Sequence, residues 1–327
     1  MRQMKEHKMS SADKTQRVRI AIAFAMVYIL WGSTYLAMRV VVQHVGPALM
    51  GATRFLISGS VMLAACAVFK QKIAITRKDI LPLVSTGVLL LVMGNIGVAW
   101  AEMTVPSGLA ALMVAVMPIY VAIIEAWILK SDRMSPKGII GLVFGTAGLL
   151  ILLWPRLFTT LGQKELFGCV ILLLASLSWS CGSIISRRSK LSIGPIAATG
   201  YHMAIAGVVN LIIATALGDF HRADWTTSSI WAVAYLVTGG SLLGFTAYVW
   251  LLEHVPTAKV ATYAYVNPVV AVLLGALILH EKIDEYIIAG SAVIVAGVVL
   301  VTTSKIKAGA GSVKKEPELA ACEVSAD

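Results

Sequence analysis

The sequence predicts an all-α membrane protein of ten transmembrane helices, arranged as two inverted five-helix repeats. Three observations lead there. The 327-residue chain is 58% hydrophobic and only 13% charged, with a mean hydropathy of +0.83, whereas soluble domains carry about 25% charged residues. Apolar runs of roughly 20 residues, the length that crosses a bilayer, follow one another along almost the whole chain. Residues of the first half also reappear in the second at a nearly constant spacing.

The runs fall at 18–38, 47–69, 80–101, 106–129, 136–154, 166–186, 195–217, 229–252, 256–279 and 286–303. Pro47, Pro106, Pro136, Pro195 and Pro256 stand where several of them begin. A first helical turn tolerates proline because its missing N–H has no intrahelical partner there anyway. The charged stretch Met1 to Arg19 precedes a run that is too long for a signal peptide and lacks a small-residue cleavage site, so it reads as a retained first helix. The four cysteines, Cys66, Cys169, Cys181 and Cys322, have no metal-ligand spacing and imply no disulfide framework.

Basic residues set the orientation. Of the 27, 21 fall in the tails and loops of one side, while Arg39, Arg156, Lys164, Arg222 and Lys282 fall on the other and Arg54 lies inside the second run. The positive-inside rule makes the rich side, with both termini, cytoplasmic. The net charge of +10 then reads as topology and anionic-lipid contact, which argues against nucleic-acid binding.

The repeat runs through every span. Trp31 matches Trp179, Arg39 matches Arg187, Gly46-Pro47 matches Gly194-Pro195 and Gly59 matches Gly207, each 148 residues apart. Gly94 matches Gly244, Trp100 matches Trp250, Val105-Pro106 matches Val255-Pro256 and Pro118 matches Pro268, each 150 apart. Asp132-Arg133 pairs with Glu281-Lys282, Gly141 with Gly290 and Gly148 with Gly297, each 149 apart. Five spans per half is an odd number, so the second half enters the membrane inverted. The expected organisation is a cytoplasmic tail at 1–17, repeats at 18–155 and 165–304, and a disordered cytoplasmic tail at 305–327. Inverted repeats characterise secondary transporters, whose sites lie near the midplane between the repeats.

The stretches ILWGSTYLAMR in the first span, GPALMGATRFLISG in the second and NIGVAWAEMTVPSGLAALMVAVMPIY across the third and fourth resemble the EamA family of the drug/metabolite transporter superfamily. The resemblance covers about residues 18–304. It implies an inner-membrane permease, often an exporter of amino acids or other small metabolites. It also implies a central cavity lined by spans 1–4 and 6–9, with spans 5 and 10 peripheral.

Candidate residues follow from depth and chemistry. Arg54 lies about 10 Å below the outer surface, counting 1.5 Å per helical residue, and a charge at that depth is a functional candidate by default. Glu102 at the outer end of span 3 is its candidate partner, with a structural tie between spans 2 and 3 as the alternative role. His202 is the repeat counterpart of Arg54 and titrates in the physiological range, so Glu102 and His202 are candidates for gating or proton coupling. Trp31, Ser33, Thr34, Asn95, Tyr120, Trp179, Tyr263 and Asn267, with Arg54, are the candidate cavity residues, offering aromatic faces and exchangeable hydrogen bonds. Pro118 and Pro268 are candidate hinges, because a proline within a helix removes a backbone bond and crowds the preceding turn. Gly141 and Gly145 form GxxxG, read as close packing within the monomer.

No Walker loop, Rossmann fingerprint, HExxH or GxSxG elbow occurs in the sequence. The expectation is a non-enzymatic transporter without cofactor or metal. It moves a small amino-acid-like or amphiphilic metabolite by alternating access, with export favoured and protons as a candidate coupling ion. Its expected partners are that metabolite and the bilayer, as a monomer, with a homodimer as the other arrangement. A non-transporting sensor or scaffold and an intramembrane enzyme are the alternatives.

Overall fold

The computed structural model describes residues 11–105, 110, 113–130, 133–157, 162–279, 285–304 and 306–307. These are helical apart from loops and a two-residue antiparallel pairing of Arg133–Met134 with Ile306–Lys307. Helices α1 (Ser11–Val42), α2 (Pro47–Val68) and α3 (Arg77–Ala101) open the chain. They are followed by α4 (Met117–Ile128), α5 (Pro136–Leu157), α6 (Gln163–Arg188) and α7 (Pro195–Leu217). The last are α8 (Thr227–His254), α9 (Tyr263–Leu279) and α10 (Glu285–Thr303). Among the described residues, α1, α2, α3, α6, α7 and α8 are six helices long and apolar enough to cross a membrane, and the others are shorter apolar helices. Pro106, Asp132, Glu281, Lys282, Cys322 and most of both tails lie outside the described residues.

Local chemistry explains where these helices begin and end. Pro47 and Pro195 occupy first turns, each after an extended glycine, Gly46 and Gly194. Thr76 and Asp79 cap α3 reciprocally, which satisfies donors that have no intrahelical partner. Helix α7 stops at Gly218, whose φ of +69° is left-handed, a backbone that glycine alone adopts at no steric cost.

Helix α2 packs along α7 and α5 along α10, α1 lies against α8 and α9, and α6 lies against α3 and α4. Matched residues make matched contacts. A Cβ on Gly94 would fall 2.8 Å from the Trp179 ring, and one on Gly244 would fall 2.7 Å from the Trp31 ring. The α2–α7 crossing is equally tight, since a Cβ on Gly59 would sit 2.6 Å from the Ala204 nitrogen and one on Gly207 2.7 Å from the Leu56 nitrogen. Arg39 Nη1 donates to the carbonyl of Val105 at 3.3 Å, and Arg187 Nη1 donates to that of Val255. The GxxxG of α5 faces α10 within the monomer, with Gly141 and Gly145 against the backbone of Gly297. Without a hydrophobic drive between helices in lipid, such small-residue contacts let backbones approach and gain dispersion energy.

Large apolar side chains face outward, among them Val61, Val143, Leu174 and Ile212, and Trp127 and Trp231 are exposed near helix ends. Exposed apolar side chains of this size suit lipid contact.

The two prolines differ in their place in the helices. The chain before α4 turns at 115–116 and the helix restarts at Met117, so Pro118 lies in a first turn and not within a bend. Pro268 does lie inside α9. The break in that span comes earlier, at 261–262, between the short helix Thr257–Val260 and α9.

Candidate functional site

A cavity of about 50 Å³ lies between the two halves. Seven of the nine residues expected there line it: Trp31, Thr34, Arg54, Asn95, Trp179, Tyr263 and Asn267. The lining comes from α1, α2, α3, the start of α4, α6, α8 and α9. Helix α7 contributes none of it, although its repeat counterpart α2 contributes Arg54 and Phe55, so the cavity is displaced to one side of the α2–α7 crossing.

Two expected residues lie elsewhere. Ser33 turns away from the cavity, donating to its own helix at Leu30 and Ile29 and meeting the Tyr235 hydroxyl. One helical position separates it from Thr34, and 100° of rotation per residue decides which of the two hydroxyls faces in. Tyr120 is half-buried on α4 and is not among the lining residues.

Arg54 is 3% exposed. Its Nε donates to Ser241 Oγ at 2.8 Å and its Nη1 to Asn95 Oδ1 at 3.1 Å, and its Cζ lies 5.0 Å from the Phe55 ring centroid. Glu102 is therefore not its hydrogen-bonded partner. Both neutral acceptors lie in π-helical stretches, Val88–Ile96 of α3 and Leu236–Phe245 of α8. π-Helical turns recur at functional sites, where the extra residue re-aims side chains. Here they place polar groups around a cation that has no carboxylate on it among the described residues. Gly240 completes the seat, because a Cβ there would fall 2.8 Å from Arg54 Nη2.

Beside the arginine stands an aromatic layer. The Trp31 and Trp179 rings meet edge to face at 5.4 Å, and Trp31 also meets Tyr263 at 4.9 Å and Tyr248 at 4.8 Å. The indoles are fixed by hydrogen bonds, Trp31 Nε1 to the Gly240 carbonyl and Trp179 Nε1 to the Tyr248 hydroxyl, both at 3.0 Å. Ser183 closes this network on Tyr248. Such edge-to-face pairs add about 0.5–1.5 kcal/mol beyond area burial, which holds the rings of the layer together.

Asn267 enters the cavity next to Pro268, with its Oδ1 unpartnered. Tyr35 also lines the cavity, one helical turn before Arg39, whose guanidinium is on the Glu102 carbonyl. Glu102 is fully buried, and neither carboxylate oxygen has a hydrogen-bond partner. His202 is 2% exposed, with both ring nitrogens unpartnered and its ring 6.4 Å from that of Phe245. Arg54 and His202 are repeat counterparts, and so are Asn95 and Phe245. The polar pair on one side thus corresponds to an apolar contact on the other. Among the described residues no group of His, Cys, Asp and Glu is placed to hold a metal ion.

The EamA-like transporter family model matches the chain twice, over residues 19–154 and 166–303. The chain belongs to the EamA-like transporter family. It is 35% identical over 285 residues to the "uncharacterized inner membrane transporter YedA" of Escherichia coli K12, covering 86% of this chain and 90% of that one. To the "uncharacterized transporter YoaV" of Bacillus subtilis it is 26% identical, covering 87% and 97%. A solved crystal structure shares the fold at a TM-score of 0.73 and 20% identity, over 86% of this chain and 96% of that one. The protein is thus a multi-pass membrane protein of a transporter family.

Sequence reasoning missed Ser241, Gly240, Tyr35 and Tyr248. The run Thr238-Gly239-Gly240-Ser241, small and polar inside an apolar span, was the available signal for two of them. Tyr35 follows Trp31 by four residues and so shares its helix face.

Proposed function

We propose that this protein is a secondary transporter of ten spans in two inverted repeats, moving a small metabolite with an anionic group by alternating access. The observation that carries the reading is the cavity between the halves, with one buried cation, Arg54, beside the Trp31–Trp179 layer. A guanidinium held only by neutral acceptors keeps its charge available for a solute carboxylate, and the aromatic faces suit an apolar side chain. Together they favour amino-acid-like or other amphiphilic anions. The exchange of α1 with α6, α3 with α8 and α4 with α9 leaves the packing scheme unchanged, which supports the inverted arrangement.

About 50 Å³ holds a few waters, at roughly 10–15 Å³ each, whereas ligand sites typically offer about 300–1,000 Å³. On this reading the helices part to make room for the solute. With the basic side cytoplasmic, both termini are inside and the cavity lies toward the outer half, where Arg54 and Asn95 reside. Export is the favoured direction, by resemblance to the family.

Counterflow in proteoliposomes loaded with a panel of amino acids and amphiphilic carboxylates tests the reading. Accumulation of at least one labelled solute against its unlabelled pool is expected. Saturable binding with no flux for any member would favour a sensor, and chemical conversion of a bound solute would favour an enzyme.

A further inference from the structure

The Glu102 carboxyl has no role in the site as described so far. It is 0% exposed and neither oxygen accepts a hydrogen bond. An ionised carboxylate so placed would forgo both hydration and pairing, which costs several kcal/mol. Arg39 does not relieve it directly, because its Nη1 donates to the backbone carbonyls of Glu102 and Val105 and not to the carboxyl group. A route to the cavity exists nonetheless. Tyr35 stands one helical turn before Arg39 on the same face of α1, Arg39 is on the Glu102 carbonyl, and both Tyr35 and Asn267 line the cavity.

We propose that Glu102 is a proton-binding site linked to the cavity through Tyr35: its carboxyl carries a proton in the closed conformation and releases it when the seam between α1 and α3 opens. On release the O–H bond breaks and the proton passes to water. The carboxylate left behind is stabilised by the Arg39 guanidinium, already anchored on the adjacent carbonyls. Arg39, which donates to the Glu102 carbonyl, and Tyr35 one turn before it are the titratable and charged groups on that face of α1. Arg54 from α2 is committed to Asn95 and Ser241. At the start of α6, the Lys164 carbonyl accepts from Thr104 and the Glu165 carboxylate accepts from the Gly162 amide. A proton is the cation that fits, since it makes the buried carboxyl itself neutral and needs no further oxygen ligands. The coupling to solute movement rests on the transporter reading above, while the proton site does not.

Infrared spectroscopy of the full chain in detergent, in sodium-free buffer, tests the site without any solute. The difference spectrum of wild type minus Glu102→Gln at neutral pH is expected to contain the carbonyl stretch of a protonated carboxylic acid, and to lose it at alkaline pH. Glu102→Asp, if Gln impairs folding, is expected to shift that band. A flat difference spectrum, or an unmoved band in Glu102→Asp, overturns the proposal. Loss of the band on adding sodium at constant pH overturns it in favour of a metal-cation site. Tyr35→Phe is expected to shift the titration midpoint, and an unchanged midpoint removes the link to the cavity. A band that titrates as expected in a protein that moves no solute keeps the proton site and removes the transporter reading, so the two fail separately.

Discussion

Replacing Arg54 with methionine separates binding from folding, because the two effects have different sizes. In the closed structure the guanidinium is 3% exposed and makes two hydrogen bonds to neutral acceptors, at 2.8 and 3.1 Å. Bonds from a charged donor contribute about 1.5–3 kcal/mol each. Burying the ion costs several kcal/mol after relaxation. These terms nearly cancel, and methionine keeps most of the apolar stem in place, so the folded state is expected to change by no more than about 2 kcal/mol. Binding has no such compensation. Truncating one member of a buried charge pair costs about 2–5 kcal/mol, a loss of roughly 30-fold to several thousand-fold in affinity. The assay pairs thermal unfolding in detergent with counterflow of the solute found by screening. A nearly unchanged unfolding temperature with flux reduced at least 30-fold is the expected pattern. A large fall in unfolding temperature with aggregation in gel filtration would refute the reasoning and make Arg54 a tie between helices, and normal flux in Arg54→Met would refute it outright.

Gly59→Ala places a methyl 2.6 Å from the Ala204 nitrogen and 3.0 Å from the Gly200 carbonyl, so it is expected to cost about 1–3 kcal/mol by thermal unfolding; Gly194→Ala, which meets open space, serves as the neutral control. Asp79→Ala removes the acceptor of Thr76 N and Oγ1 at 2.7 Å and of Ser192 N and Oγ at 2.9 and 2.5 Å, and is expected to lower the unfolding temperature. Asp219→Ala loses one bond to the Leu49 amide at 3.3 Å and is expected to lower it less; the opposite order would contradict this count of bonds. Trp31→Ala deletes a ring that contacts three others and is expected to cost about 3–5 kcal/mol and to open a leak for the solute, whereas Trp31→Phe is expected to retain the barrier; equal leak rates in liposomes would exclude a partition role for the ring.

Much of this architecture was legible because it rests on spacing. Gly59 with Gly207, Gly94 with Gly244 and Arg39 with Arg187 are repeat pairs in the sequence, and each pair makes equivalent contacts, since one packing solution is used twice. Arg54 stood out because a charge in an apolar span has few structural excuses. What could not be read was set by local winding. Whether Ser33 or Thr34 faces inward depends on one residue of rotation, and the apposition of Asn95 and Ser241 on Arg54 depends on π-helical turns that leave no compositional mark. The place of Pro118 was open for a related reason: proline fits a first turn as well as it forces a bend, and only the turn at 115–116 decides between them. The pairing of Glu102 with Arg54 rested on shared depth, which does not fix the direction of either side chain.

The π-helical stretches Val88–Ile96 and Leu236–Phe245 occupy nearly the same place in both halves. A π turn holds one residue more than the α turn it replaces, so each stretch is a stored insertion. Rewinding it to α geometry rotates everything on one flank by about 100° relative to the other, with no hydrogen-bonded register broken elsewhere in the helix. Such a rewinding in α3 would swing Asn95 off Arg54, and one in α8 would do the same to Ser241. The two halves thus carry matched extra residues in the two helices that hold the arginine.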